Sequence, residues 1–159
     1  MHSSAARKLM DSSFETVSFN GGDLEKVTGI HERNTIRGFP ATPIDHDIIN
    51  KKYFNIQAGR RAAPRFAQKF EVIVSSPMMS FRTTSVNVSA SGLLLNDLIP
   101  HEFMGSPLDI VVIQQFGNVK KFMIFRGNAV GGPIRSPRIS FTAYALNSLE
   151  ELMSALSSS

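Results

Sequence analysis

Apolar and polar positions divide this chain into two unlike parts. Residues 1–50 carry scattered apolar side chains (Met10, Phe14, Val17, Phe19, Leu24, Val27, Ile30) among Ser, Asn, Gly, Asp and Thr. No window there sustains a helical or an alternating period. Gly21-Gly22, Gly29, Gly38, Pro40 and Pro43 interrupt it repeatedly. The pattern predicts an N-terminal arm over residues 1–58, largely extended or disordered, with Phe and Ile side chains available to pin it to a neighbouring surface.

From residue 66 onward the pattern changes to a succession of short strands. FEVIV (70–74) is a β-branched run, and FRTTSVNVSASG (81–92) alternates before Gly92 releases the chain into LLL (93–95). After a turn-rich stretch, LDIVVIQQF (108–116) and KKFMIFRGNAV (120–130) flank a Gly117-Asn118 turn, and RISFTAYAL (138–146) follows a basic loop. Turn signals about ten residues apart suggest a small antiparallel barrel or sandwich. The tail differs. Ser148 and Glu151 form a capping-box pattern, and Leu149, Leu152, Met153 and Leu156 then share one helical face. A helix this short does not stand alone, so it must pack on the strands or on another protein.

Composition narrows the chemistry. In 159 residues there is no cysteine, which excludes disulfide scaffolds, thiolate zinc sites and cysteine nucleophiles. No apolar run approaches the ~20 residues of a membrane helix. The basic residues near the start lack a following apolar stretch, unlike a secretory signal. A cytoplasmic protein of bacterial type, not a membrane protein, is expected. Seventeen Lys and Arg against 13 Asp and Glu give a net charge of +4, which favours an anionic partner without demanding nucleic acid.

Little points to catalysis. His2, His31, His46 and His101 lie in polar or turn-rich surroundings, and Asp45-His46-Asp47 has no second histidine at a ligand spacing, so it reads as a solvated loop. There is no nucleophile elbow and no phosphate-binding glycine loop. Asp97 and Asp109 have no carboxylate partner at a spacing that would build an acid–base pair. No enzyme, metal or cofactor is expected.

Two clusters are informative. GRRAAPRFAQK (59–69) places Arg60, Arg61, Arg65 and Lys69 together without an acid, and Pro64 argues against a helix there. Planar guanidinium forks on such a segment can pair with phosphates or meet guanine edges. In NVSASG (87–92), alternation places Val86 and Val88 on the core face and Thr83, Ser85, Asn87 and Ser89 on the other. That second face is a row of small hydrogen-bonding groups, and Gly92 permits a sharp turn or a close approach to the backbone.

RxxxR ending at Arg65 and NxSxxG beginning at Asn87, with a six-strand pattern and a terminal amphipathic helix, resemble the PilZ domain family over roughly residues 59–156. The resemblance implies a mainly β fold: a small antiparallel six-stranded β-barrel with a C-terminal helix. It also implies binding of the second messenger cyclic di-GMP. By this likeness Arg61 and Arg65 stack on bases and contact phosphate, Asn87 and Ser89 bond the ligand's polar edges, Gly92 serves conformation, and Arg60 adds a phosphate contact. The basic loop Arg135-Ser136-Pro137-Arg138 is a further candidate for the ligand's surroundings. The implied function is a receptor that changes conformation and signals to a protein partner in motility, secretion or polysaccharide synthesis. Two alternatives stand beside it: a nucleotide-independent PilZ-like adaptor, and a general nucleic-acid-binding barrel. The second ranks lower because the polar strand face offers no aromatic platform, so no DNA or RNA partner is expected.

Overall fold

The computed structural model describes residues 35–54, 63–131 and 137–158. Its strands are β1 (Thr35–Ile36), β2 (Phe39–Pro43), β3 (Glu71–Ser75), β4 (Ser80–Ser89), β5 (Gly92–Leu95), β6 (Leu108–Phe116), β7 (Val119–Val130) and β8 (Arg138–Ala145). Helix α1 (His46–Phe54) follows β2, and α2 (Ser148–Ser157) ends the chain. All pairings are antiparallel, in the order β1-β2-β8-β5-β4-β3-β6-β7, with β7 returning to β8. Strands β3 to β8 therefore close a six-stranded barrel, as the motif resemblance implied.

The apolar runs explain the closure. Val72 and Val74 of β3, Ile110 and Val112 of β6, and Met123 and Phe125 of β7 fill the interior with Phe141 of β8, whose ring stacks on Phe125 at 4.3 Å. The unbroken run Ile110–Ile113 reads as strand buried on both faces. Val111 and Ile113 accordingly join Ile73 in a second apolar cluster on the other face, with Phe122 and Ile124 packed against it.

Helix α2 seats Leu149, Leu152, Met153 and Leu156 in the main core, on the face the sequence indicated. The capping box does not form. Asn147 occupies the N-cap position without a side-chain bond, and the Ser148 hydroxyl accepts the Ile124 backbone N–H at 2.8 Å. The last β7–β8 pair is Phe125↔Tyr144, so this hydroxyl serves a strand amide just beyond the point where β8 departs. Ser148→Ala should therefore lower stability by about 1–3 kcal/mol, the cost of orphaning a partly buried amide. Urea denaturation checks this; an unchanged midpoint would contradict it.

The segment expected to be an extended arm forms structure in its second half. Arg37 and Gly38, with φ of 37° and 88°, make a tight turn of the type that suits a two-residue hairpin. Arg37 Nε then donates to Asp109 Oδ2 at 2.8 Å, and Arg126 approaches the other carboxylate oxygen at 3.4 Å. Strand β2 pairs Ala41–Pro43 with Ala143–Ala145. Because β5 reaches only Arg138–Ser140 along that edge, β2 covers the half of β8 that four-residue β5 leaves open. Asp45, read from sequence as part of a solvated loop, caps α1 by accepting the Asp47 and Ile48 amides at 3.1 Å. These elements escape a periodicity search because they bury few side chains: Ile36 in β1, none in β2, and Ile49 and Asn50 in α1.

Candidate functional site

Arg65 precedes β3 on a segment that is laid along β4. Phe66 and Val88 exchange both backbone hydrogen bonds at 2.9 Å. Opposed residues of an antiparallel pair point to the same face, so Phe66 follows Val88 inward. Arg65, one residue back, emerges on the opposite face beside Ser89. The spacing between the two motifs is thus the chain needed to run through β3, turn, and return along β4.

A buried serine holds this segment. Strand β3 leaves off at Glu71↔Thr84, and between there and Phe66 the Ser85 hydroxyl accepts the Phe70 N–H at 2.8 Å and donates to the Gln68 carbonyl at 2.7 Å. Phe66 also meets Phe54 of α1, with ring centroids 6.3 Å apart. Ser85→Ala would strand one amide and one carbonyl, an expected loss of about 1–3 kcal/mol. The effect should appear as faster amide exchange at Phe70, whose N–H loses its acceptor; unchanged exchange there would refute the tether.

The alternation expected over residues 83–89 is interrupted. A β-bulge lies between Ser85 and Asn87, so Val86 turns outward at 47% exposure while Val88 is fully buried. Val86 is therefore not a core residue. Thr83 and Ser85 are buried and committed elsewhere, Thr83 donating to Asp97 Oδ2 at 2.6 Å. The row of four small polar groups shrinks to Asn87 and Ser89.

These two do meet Arg65. An open cleft of about 220 Å³ is lined by Arg65, Asn87, Ser89, Ser91 and Gly92. Strand β8 and the end of β7 complete it with Arg138, Ser140 and Val130. Its described lining includes two arginines and no carboxylate, so its field suits an anion. Arg60, Arg61 and Arg135 lie outside the described residues.

The turn residues have distinct tasks. The Ser89 hydroxyl donates to the Gly92 carbonyl at 3.2 Å, accepts the Ser91 N–H at 3.2 Å and pairs with the Ser91 hydroxyl at 2.9 Å. One donor and two acceptor positions are thereby used within the turn, which makes Ser89 the shaper of the cleft wall. Gly92 begins β5, and a Cβ there would sit 2.1 Å from the Ile139 carbonyl oxygen. Its task is close approach to β8. Asn87 is half-buried and its amide offers both donor and acceptor.

Arg138, Ser91, Ser140 and Val130 are among the lining residues that motif reading did not assign individually. Arg138 was visible as part of a basic loop. Ser91 lies within NVSASG, in the turn, and Ser140 and Val130 follow only from the register, which pairs Gly92 with Ser140, Leu94 with Arg138, and Val130 with Arg138. Among the described residues no group of acidic and histidine side chains is placed to hold a metal ion, and no helix is long and apolar enough to cross a membrane.

No protein-family model matches the chain, and no curated protein matches it in sequence. Among solved structures, it is similar to the inhibitor of motility MotI/DgrA of Bacillus subtilis, with 15% identity, a TM-score of 0.43, and coverage of 65% of this chain. The match spans 52% of the MotI/DgrA chain, about half its length. It is also similar to the PilZ domain of CeSA from a cellulose-synthesizing bacterium, with 14% identity and a TM-score of 0.43, covering 60% of this chain and 99% of that one. Both are similarities of fold.

Proposed function

We propose that this chain is a non-enzymatic receptor for cyclic di-GMP. The observation that carries the reading is the meeting of Arg65 with Asn87, Ser89 and Gly92 in one cleft, although the motifs that contain them lie on separate segments. Cyclic di-GMP presents two phosphates and two guanines, and so needs cations, stacking planes and edge donors. Arg65 and Arg138 supply guanidinium forks to opposite parts of the cleft, and Asn87 supplies an amide for a base edge. Arg61 completes the RxxxR motif with Arg65, and Arg60, just before the motif, adds a phosphate contact.

The Arg65 segment is the element that responds. Its residues touch β4 at Phe66 and Ser85 and α1 at Phe54, so ligand contacts with the arginines bias the packing of α1 against the barrel. That bias equals the ligand's differential affinity for the two arrangements and no more. The altered surface signals to a protein partner in a motility, secretion or polysaccharide-synthesis system of a bacterial cytoplasm.

Isothermal titration of the full chain with cyclic di-GMP tests this, with GMP and cyclic di-AMP as controls. Saturable heat selective for the guanine dinucleotide is expected. A flat trace from folded protein would reject the receptor reading in favour of the nucleotide-independent adaptor.

A further inference from the structure

The β6–β7 hairpin outruns the barrel. Its last shared row with β3 is Glu71↔Ile113, yet β6 and β7 continue to pair through Phe116↔Val119. On the other side, β7 meets β8 only from Phe125 onward. Among the described residues, Gln114–Lys121 is therefore a two-stranded ribbon with no strand against either edge. Such ribbons are marginal in water by themselves.

The tip of this ribbon is unlike a solvated turn. Phe116 and Val119 are 52% and 62% exposed, and they oppose each other directly across the hairpin. Directly opposed side chains form one continuous apolar patch. The ribbon's ionic groups are Lys120 and Lys121, and it contains no acid. Lys121 Nζ lies 6.0 Å from the Phe116 ring, so a cation borders the patch. Lys120 is within 3.9 Å of Glu71, a carboxylate already held by Arg82 at 2.9 Å.

We propose that this tip is a peripheral docking element for an anionic lipid surface. An apolar patch at the end of a projecting ribbon enters the boundary between headgroups and acyl chains, while Lys121 beside it meets lipid phosphate and Lys120, on the ribbon's other face near Glu71, adds to the positive charge. The ribbon carries positive charge and no acid, which suits an anionic surface, and a bilayer needs no matching groove to receive a projecting apolar tip, as a folded or peptide partner would. The opposite end of β3 provides a natural comparison. There the Met78 side chain is 91% exposed between Pro77 and Met79, but Ser75–Ser80 contains no lysine or arginine.

The chain has no tryptophan, so Phe116→Trp introduces a single fluorescent reporter at the tip. With vesicles of about 30% phosphatidylglycerol in phosphatidylcholine, its emission should shift to the blue and the protein should co-sediment at low salt. Phe116→Ser/Val119→Ser should reduce the bound fraction at least about fivefold, Lys120→Gln/Lys121→Gln should reduce it towards that on pure phosphatidylcholine, and Met78→Ser should leave it unchanged. Thermal melts, expected to be close to wild type for these exposed sites, separate loss of docking from loss of fold. An unshifted emission, absence of wild-type co-sedimentation, or equal loss with Met78→Ser would overturn the proposal.

Discussion

Arg65→Ala is expected to abolish measurable cyclic di-GMP binding while leaving the barrel folded. Arg65 is exposed, and its backbone neighbours are held by Phe66 and Ser85 independently of its side chain. The substitution therefore removes the guanidinium without disturbing the path of the chain. Two charge-assisted bonds of roughly 1.5–3 kcal/mol each correspond to a loss of at least about a hundredfold in affinity. Arg61→Ala should behave alike. Ser89→Ala should weaken binding less, because its hydroxyl is spent within the turn and its loss acts through the shape of the wall. Calorimetry on folded variants decides the matter. Affinity retained within about threefold in Arg65→Ala would refute the site.

Gly92→Ala is expected to damage the fold rather than a contact with ligand. The added Cβ would meet the Ile139 carbonyl oxygen at 2.1 Å and the Ser140 Cα at 3.2 Å, both on the β8 backbone. A flexible side chain can move aside, whereas a strand paired on both edges cannot. Gly127 presses on β8 from the other side, where a Cβ would stand 2.3 Å from the Ser140 carbonyl oxygen. Two glycines thus let β5 and β7 grip the same stretch of β8, where the barrel closes. Relieving the clash requires opening the β5–β8 pairing, so the loss should reach or exceed the about 1–3 kcal/mol of ordinary overpacking. Gly127→Ala should act similarly. Urea midpoints measure both; a Gly92→Ala protein as stable as wild type would contradict this account of the closure.

How much of this was legible follows from how local each feature is. Strands β6, β7 and β8 and the buried face of α2 are written in contiguous apolar patterns, and the structure places them within a residue or two of expectation. Val86 was misassigned because a bulge adds one residue and reverses the alternation, and nothing in TTSVNVS marks it. The Ser148 hydroxyl left its expected cap because a strand amide 24 residues earlier competes for it. Strand β2 was hidden because its pairing comes from the unpaired half of β8, a feature of topology, and helix α1 because it buries little besides Ile49 and Asn50. At the site, Arg65, Asn87, Ser89 and Gly92, which the motifs named, line one cleft. Their tasks were less legible: Gly92 is required by an approaching backbone, and Ser89 by the turn. Arg138 and Ser140 enter the cleft through register alone.

The most direct test of the central claim is amide chemical-shift mapping of the full chain during titration with cyclic di-GMP. The account predicts saturable changes concentrated at Arg65–Phe66, Asn87–Leu94 and Arg138–Ser140, extending through Phe66 to the end of α1, with Gly117 and Asn118 unmoved. Saturable binding whose shifts fall elsewhere on the barrel, leaving Arg65, Asn87 and Ser91 unchanged, would contradict it.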